Sequence, residues 1–242
     1  MDLSLESLYS DSMSDIAATI TSNVNNVNVN HSSALEQAIQ MRQDIALESD
    51  IKPPKDAKPQ FALSSAFVTG ATGFIGSFVV NYLSKDPAFE TSKIYCLVRA
   101  GDDAEALTRL TKIFASHGFD AEKVMKRVIP FAGDLEKRNF GLEYELYDYL
   151  TTEVDVIFHI GATVNHILPY SKMKAANVDS IMEIIRFACT NKLKLVNYAS
   201  TLGVFSGQTT VIKEDTDIET NNLQALGGYN QTKWVRNVKK CF

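Results

Sequence analysis

The sequence predicts an α/β fold built on a doubly wound parallel sheet. Three observations carry that expectation. From Phe61 onward, short apolar runs alternate with stretches of helical period. The apolar runs are nearly continuous, as strands covered on both faces require. A glycine-rich turn joins the first of these strands to the first helix, and right-handed crossovers then wind the sheet in both directions.

The elements follow in order. Ser65-Ala66-Phe67-Val68-Thr69 reads as a buried strand. Phe74 to Ser84 reads as a helix with Ile75, Phe78, Val79, Tyr82 and Leu83 on its inner side. A strand over Lys93 to Val98 precedes a helix over Asp103 to Ser116. Val128 to Phe131 is the third strand. A helix over Tyr144 to Leu150 leads into a fourth strand, Asp155 to Ile160. Ile181 to Thr190 is predicted helical, Leu195 to Ala199 is the fifth strand, and Tyr229 to Val238 reads as a further helix.

The first 60 residues differ in character, so the expected organisation is a linker over 1–60 and one nucleotide-binding domain over 61–242. Thr21 to Ser33 is rich in Asn and Ser and reads as a polar, disordered tract. Ser33-Ala34-Leu35-Glu36 is a capping-box pattern that starts a short helix reaching about Leu47, with Leu35, Ile39 and Met41 among its apolar positions. Pro53, Pro54 and Pro59 end it as a stiff linker.

Composition narrows the function classes. A chain of 242 residues with 45% hydrophobic residues can bury one sizeable core. A formal net charge of -5 argues against a general binder of nucleic acid or anionic membrane. Cys96, Cys189 and Cys241 have no motif spacing, so neither a disulfide framework nor a metal site is expected. His159 and His166 read as packing or polar-network residues, because no partner has metal-ligand spacing. There is no leader pattern at the start and no apolar run long enough to cross a bilayer, and the expected location is the cytoplasm.

The turn is Thr69-Gly70-Ala71-Thr72-Gly73-Phe74-Ile75-Gly76. Gly70 permits the tight turn, Gly73 lets a pyrophosphate approach the backbone, and Gly76 lets the helix pack closely on the strand. The helix N-terminus offers unpaired N–H groups and a positive dipole to the phosphates. This strand–turn–helix context is the Rossmann arrangement. An NAD site usually ends the second strand with Asp or Glu. Here the strand ends Leu97-Val98-Arg99, and no acid follows until Asp102. A guanidinium there suits the 2′-phosphate of NADP, and Arg109 on the next helix can add a second contact. A solvated surface arginine is the plainer reading of either residue.

Several stretches in order resemble one family. Ile94 to Ala100 (Ile-Tyr-Cys-Leu-Val-Arg-Ala), Gly133-Asp134-Leu135, the segment from His159 to Tyr170, Tyr198-Ala199-Ser200-Thr201, and Gly228-Tyr229-Asn230-Gln231-Thr232-Lys233-Trp234 resemble the thioester reductase domains of carboxylic acid reductases and of nonribosomal peptide and polyketide synthases. These belong to the extended short-chain dehydrogenase/reductase superfamily. Even Arg42 to Leu47 resembles the linker before such domains. The resemblance implies that Gly161 and Ala162 line the cofactor, that Asp134 accepts from the adenine amine with Leu135 against the ring, and that Asn177 sits in a central helix behind the active site. Taken alone, Asp134 would be a turn residue and Asn177 a cap or surface residue.

Tyr229 and Lys233 are four apart on a predicted helix, so they share a face. An ammonium there is expected to lower the phenol pKa and to hold the nicotinamide ribose. Thr201 follows the fifth strand at its carboxyl end, where open α/β sheets place their ligands. The implied reaction is hydride transfer from NADPH to an acyl thioester, carried on a phosphopantetheinylated carrier protein or on CoA, with release of an aldehyde. Family members continue past the Tyr-x-x-x-Lys helix into a smaller domain that forms the acyl pocket, whereas this sequence ends at Cys241-Phe242, so the substrate domain is expected to be missing. Two other readings stand beside this one. One is a non-catalytic nucleotide-binding fragment. The other is a fatty acyl-CoA reductase or a nucleotide-sugar dehydrogenase or epimerase.

Overall fold

The computed structural model describes residues 27–55, 64–87, 93–206, 211–218, 223 and 226–237. The polar tract before Val27, Pro59, Phe61 and the stretch from Val238 to Phe242 lie outside these residues. The described chain forms two compact units. One comprises 47–164 and 171–201, and the other the described parts of 1–46, 165–170 and 202–242.

The larger unit is built on five parallel strands: β1 (Ser65–Thr69), β2 (Lys93–Val98), β3 (Val128–Ala132), β4 (Val156–His159) and β5 (Leu195–Tyr198), in the order β3-β2-β1-β4-β5. The chain winds outward from β1 through β2 to β3, then crosses back to β4 and on to β5. The switch therefore lies between β1 and β4, whose last residues Thr69 and His159 are in register. Successive side chains of a strand point to opposite faces. Accordingly, Ala66 and Val68 enter one core with Val80, Leu110 and Phe114. Phe67 enters the other with Phe131, Phe140, Leu150 and Phe187. The two outer strands depart from full burial, β3 at Ile129 and β5 at Val196 and Asn197, which are exposed.

Helix α2 (Phe74–Leu83) corrects an expectation. Its buried residues are Gly76, Ser77, Val80 and Leu83, while Ile75, Phe78 and Tyr82 are exposed and Val79 is half-buried. The cause is steric. A Cβ on Gly76 would lie 2.7 Å from the Gly70 carbonyl carbon and closer still to its oxygen. Only the small-residue face fits that approach, and the aromatic face turns outward. There the Phe74 and Phe78 rings meet at a tilt with centroids 5.0 Å apart, and Phe78 meets Phe119 edge-on at 4.9 Å.

Helices α3 (Asp103–Ser116), α4 (Ala121–Met125) and α5 (Tyr144–Glu153) follow, α3 as predicted, α4 not foreseen and α5 three residues longer at its C-terminus. Asp102 caps α3 by accepting from Glu105 N at 2.8 Å. After α6 (Tyr170–Lys174), a π-helical stretch over Ala175–Asp179 leads into α7 (Ser180–Cys189). Between β3 and α5 a 3-10 turn over Arg138–Gly141 holds Asn139 and Phe140 at φ 50° and 61°. Two adjacent non-glycine residues in the left-handed region are costly, at about 1–2 kcal/mol each. Burial of the Phe140 ring, 5.5 Å from Phe67 and 5.7 Å from Phe187, offsets part of that.

The smaller unit contains α1 (Val27–Asp44) and α8 (Gly228–Asn237). Helix α1 starts before the capping box, inside the stretch expected to be disordered. Extending a formed helix costs far less than nucleating one, so an Asn/Ser-rich run can be carried along by the turns that follow. Of the three apolar positions expected in it, Met41 is buried, and Leu35 and Ile39 are exposed. Gln37 donates to Gln231 at 3.2 Å, and the Arg42 guanidinium lies 5.9 Å from the centroid of the buried Trp234 ring. Tyr170 donates to Asp44 at 2.5 Å.

Candidate functional site

A cavity of about 620 Å³ opens at the carboxyl ends of β1, β2 and β4, within the size range of small-molecule sites. The glycine turn supplies one wall, through Gly70, Thr72, Gly73, Phe74, Ile75 and Gly76. Gly70 has φ 73°, a conformation that favours glycine. No side chain caps the start of α2. Its first N–H groups lack intrahelical partners and border the cavity, which is the donor set a pyrophosphate needs.

Arg99 and Arg109 line a second wall. Arg99 is exposed where β2 ends. Arg109 donates to the Arg99 carbonyl and lies 3.9 Å from Glu105, so α3 braces the residue that carries the first guanidinium. The carboxylates nearby are engaged with backbone. Asp102 caps α3, Glu105 accepts from Gly101 N at 2.7 Å, and Asp103 accepts from Ala132 N at 2.8 Å.

Asp134, Leu135, Gly161 and Ala162 complete the set. The Asp134 carboxylate accepts from Glu136 N at 3.0 Å, so it also closes its own turn. Gly161 N donates to Thr69 Oγ1 at 3.0 Å, and the same hydroxyl lies 2.8 Å from His159 Nδ1. The His159 ring is buried and stacks on Tyr198 at 5.7 Å, a polar-network role. Asn177 sits in the π-helical stretch, not in a regular helix. Its amide pairs twice with the Thr163 backbone, accepting from N at 2.7 Å and donating to O at 2.9 Å. Twelve of the residues singled out for cofactor binding thus share one cavity. Leu97, Gly133, Ile160 and Thr163 also line it without having been singled out. Their signal was position, since each lies near the carboxyl end of a strand or in the loop that follows it.

Thr201 closes the described sheet unit just after β5. Tyr229 and Lys233 lie in the smaller unit, one turn apart on α8. Within that unit, Lys233 Nζ lies 5.9 Å from the Tyr229 ring centroid, and His166 meets the same ring edge-on at 5.8 Å. The pKa expectation for the tyrosine is corrected. Burial raises Tyr229 above its ordinary value, and the ammonium lies over the ring face. Burial also pushes Lys233 down to about 8.

A family model described as male sterility protein, an NAD-binding family, matches residues 68–238. The chain belongs to this family. Within it, the similar proteins are thioester reductase domains of the extended short-chain dehydrogenase/reductase type, which are NAD(P)-dependent oxidoreductases. A linear gramicidin synthase from Brevibacillus parabrevis is 37% identical over 200 residues, covering 81% of this chain and 4% of that one. The L-2-aminoadipate reductase of Candida glabrata is 34% identical in its large subunit over 184 residues, covering 70% and 13%. The terminal R domain from the myxalamid PKS-NRPS pathway superposes with a TM-score of 0.76 at 35% identity, over 83% of this chain and 51% of that chain. The reductase domain of a nonribosomal peptide synthetase from Mycobacterium tuberculosis gives 0.64 at 30% identity, over 81% and 47%. The chain therefore spans about half of the solved reductase domains and a small part of the curated relatives. Among the described residues, no helix is long and apolar enough to cross a membrane.

Proposed function

We propose that this reductase-family chain binds NADP(H) in the β1–β4 crevice and serves the two-electron reduction of an acyl thioester to an aldehyde, the acyl group being carried on a phosphopantetheine arm or on CoA. One observation carries the choice of NADP. An exposed guanidinium ends β2, while the neighbouring carboxylates are tied to backbone N–H groups. A 2′-phosphate meets a cation there, and a 2′-hydroxyl finds no open carboxylate.

Bound NADPH would supply the hydride to the acyl carbon. The N-terminus of α2 would hold the pyrophosphate, Asp134 and Leu135 the adenine, and Lys233 the nicotinamide ribose. In this reading Thr201 donates a hydrogen bond to the thioester oxygen, and Tyr229 gives that oxygen its proton as the carbon is reduced. A Tyr229 pKa above the ordinary value keeps the phenol protonated at neutral pH, as a proton donor must be. The resulting hemithioacetal collapses to aldehyde and free thiol.

The test is a fluorescence titration of NADPH and NADH on the chain and on Arg99→Ala, followed by turnover with an acyl-CoA and an acyl-carrier thioester. The expected result is NADPH binding that weakens about tenfold or more in the variant, an NADH affinity that does not change, and thiol and aldehyde release in step with NADPH oxidation. Equal affinity for both nucleotides in the unaltered chain would refute the NADP assignment. Binding without any turnover would make the chain a nucleotide-binding fragment.

A further inference from the structure

The turn that carries Asp134 and Leu135 is held from behind by a residue outside the cavity. We propose that Glu183, on α7, is the positioning residue for the adenine-binding turn, an inference that rests on the nucleotide reading above. The Glu183 side chain is 12% exposed, and its carboxylate faces the strained 3-10 turn. One oxygen accepts from Asn139 N at 2.9 Å, and the other from Arg138 at 3.1 Å. Asn139 and the following Phe140 are the two non-glycine residues of this turn held at positive φ.

The strain is transmitted to the cavity through backbone. Phe140 O accepts from Asp134 N at 2.8 Å, Lys137 N donates to Asp134 O at 3.1 Å, and Phe140 N donates to Lys137 O at 3.0 Å. These bonds close a loop whose near end is the cavity wall and whose far end is gripped by Glu183. Without that grip, Asn139 loses the acceptor that fixes its amide, and left-handed backbone at a non-glycine residue relaxes. The Asp134 amide is then no longer registered against Phe140 O.

Arg186 extends the arrangement. It lies 3.6 Å from Glu183 and pairs with Glu48 and Asp50, in the segment that leads into β1. The groups near Glu183 thus include Arg138 and the Asn139 amide on one side, Tyr147 on α5, and Arg186 on its own helix. The two guanidiniums and the amide hold the carboxylate in place by charge-assisted contacts.

The experiment measures binding of NADPH, of 2′-phospho-AMP and of nicotinamide mononucleotide to the unaltered chain and to Glu183→Ala, Glu183→Gln and Glu183→Asp, with thermal denaturation alongside. Glu183→Ala is expected to bind NADPH and 2′-phospho-AMP about tenfold more weakly, with nicotinamide mononucleotide unchanged. Glu183→Gln keeps an acceptor for Asn139 N and is expected to recover most of that loss. Glu183→Asp keeps the charge beside Arg186 but is one methylene short of the turn, so it should show the same loss of about tenfold, and it decides the question where the alanine variant does not fold. Adding Asn139→Gly to Glu183→Asp should restore affinity, because glycine holds positive φ without a grip. A folded Glu183→Asp that binds 2′-phospho-AMP as tightly as the unaltered chain overturns the inference. So does an equal loss for both nucleotide halves, which marks a merely structural role. Failure of the unaltered chain to bind NADPH would instead overturn the nucleotide reading on which the inference rests.

Discussion

Gly76→Ala puts the close approach of α2 and the glycine turn to the most direct test. The added methyl would lie 2.7 Å from the Gly70 carbonyl carbon, where ordinary contact begins near 3.4 Å. The obstacle is backbone, so it cannot rotate away, and the helix must retreat by at least about 0.7 Å on those figures. Overpacking of this kind costs about 1–3 kcal/mol. Alanine returns about 1 kcal/mol through helix propensity. The net loss is about 0–2 kcal/mol, or a fall in Tm of up to about 8 °C for a chain of this size. The same retreat pulls the first N–H groups of α2 from their places, and losing one charge-assisted hydrogen bond weakens NADPH by about tenfold or more. Thermal denaturation and fluorescence titration read the two effects. A variant with unchanged Tm and unchanged affinity would show that the close contact does not shape the site.

Three further outcomes are expected. Burial pushes Lys194 down to about 7 from 10.5. The unfolded chain therefore binds the extra proton above pH 7, so stability rises with pH from about 7, by up to about 1.4 kcal/mol per unit, and Lys194→Met should flatten that rise in denaturant titrations at pH 7 and 8. Burial alone would raise Asp155, but hydrogen bonds from Lys192 and Ser64 hold it below its ordinary 3.8, so its stabilisation is present above that value and lost as pH falls through the lowered one. Asp155→Ala should cost about 3 kcal/mol at pH 7 by urea denaturation, since Lys192 loses its partner. Tyr229→Phe is expected to lower thioester turnover by about 10²–10⁴-fold while NADPH affinity stays within about threefold, and full turnover would remove Tyr229 from the proton step.

Much of the fold was legible because parallel strands are read from continuous apolar runs, and five such runs stood clear of their helices. The glycine wall of the cavity was legible for a related reason, since Gly70 needs a positive φ and Gly76 leaves no room for a Cβ against Gly70. The orientation of α2 was not. Hydrophobic periodicity assigns Phe78 and Tyr82 to the core, but the approach to Gly70 selects small residues and overrides it. Nor did any local pattern announce Asn139 and Phe140 at positive φ, because the force that holds them comes from Glu183, 44 residues away from Asn139. The pairing of Asn177 with Thr163 was hidden likewise, as a side chain standing in for a strand partner leaves no spacing to read.

The seam between β1 and β4 also sets an order of events in synthesis. Thr69 and His159, whose side chains meet at the end of that seam, are 90 residues apart in the chain. At about 5–20 residues per second, β4 leaves the ribosome roughly 5–18 s after β1. Strands β2 and β3 are made within that interval, so a three-stranded half-sheet can form with one flank of β1 still unpaired. During that delay the flank is an open template for other chains. The crevice comes into being only when β4 arrives, so no nucleotide can protect the nascent half-sheet before then.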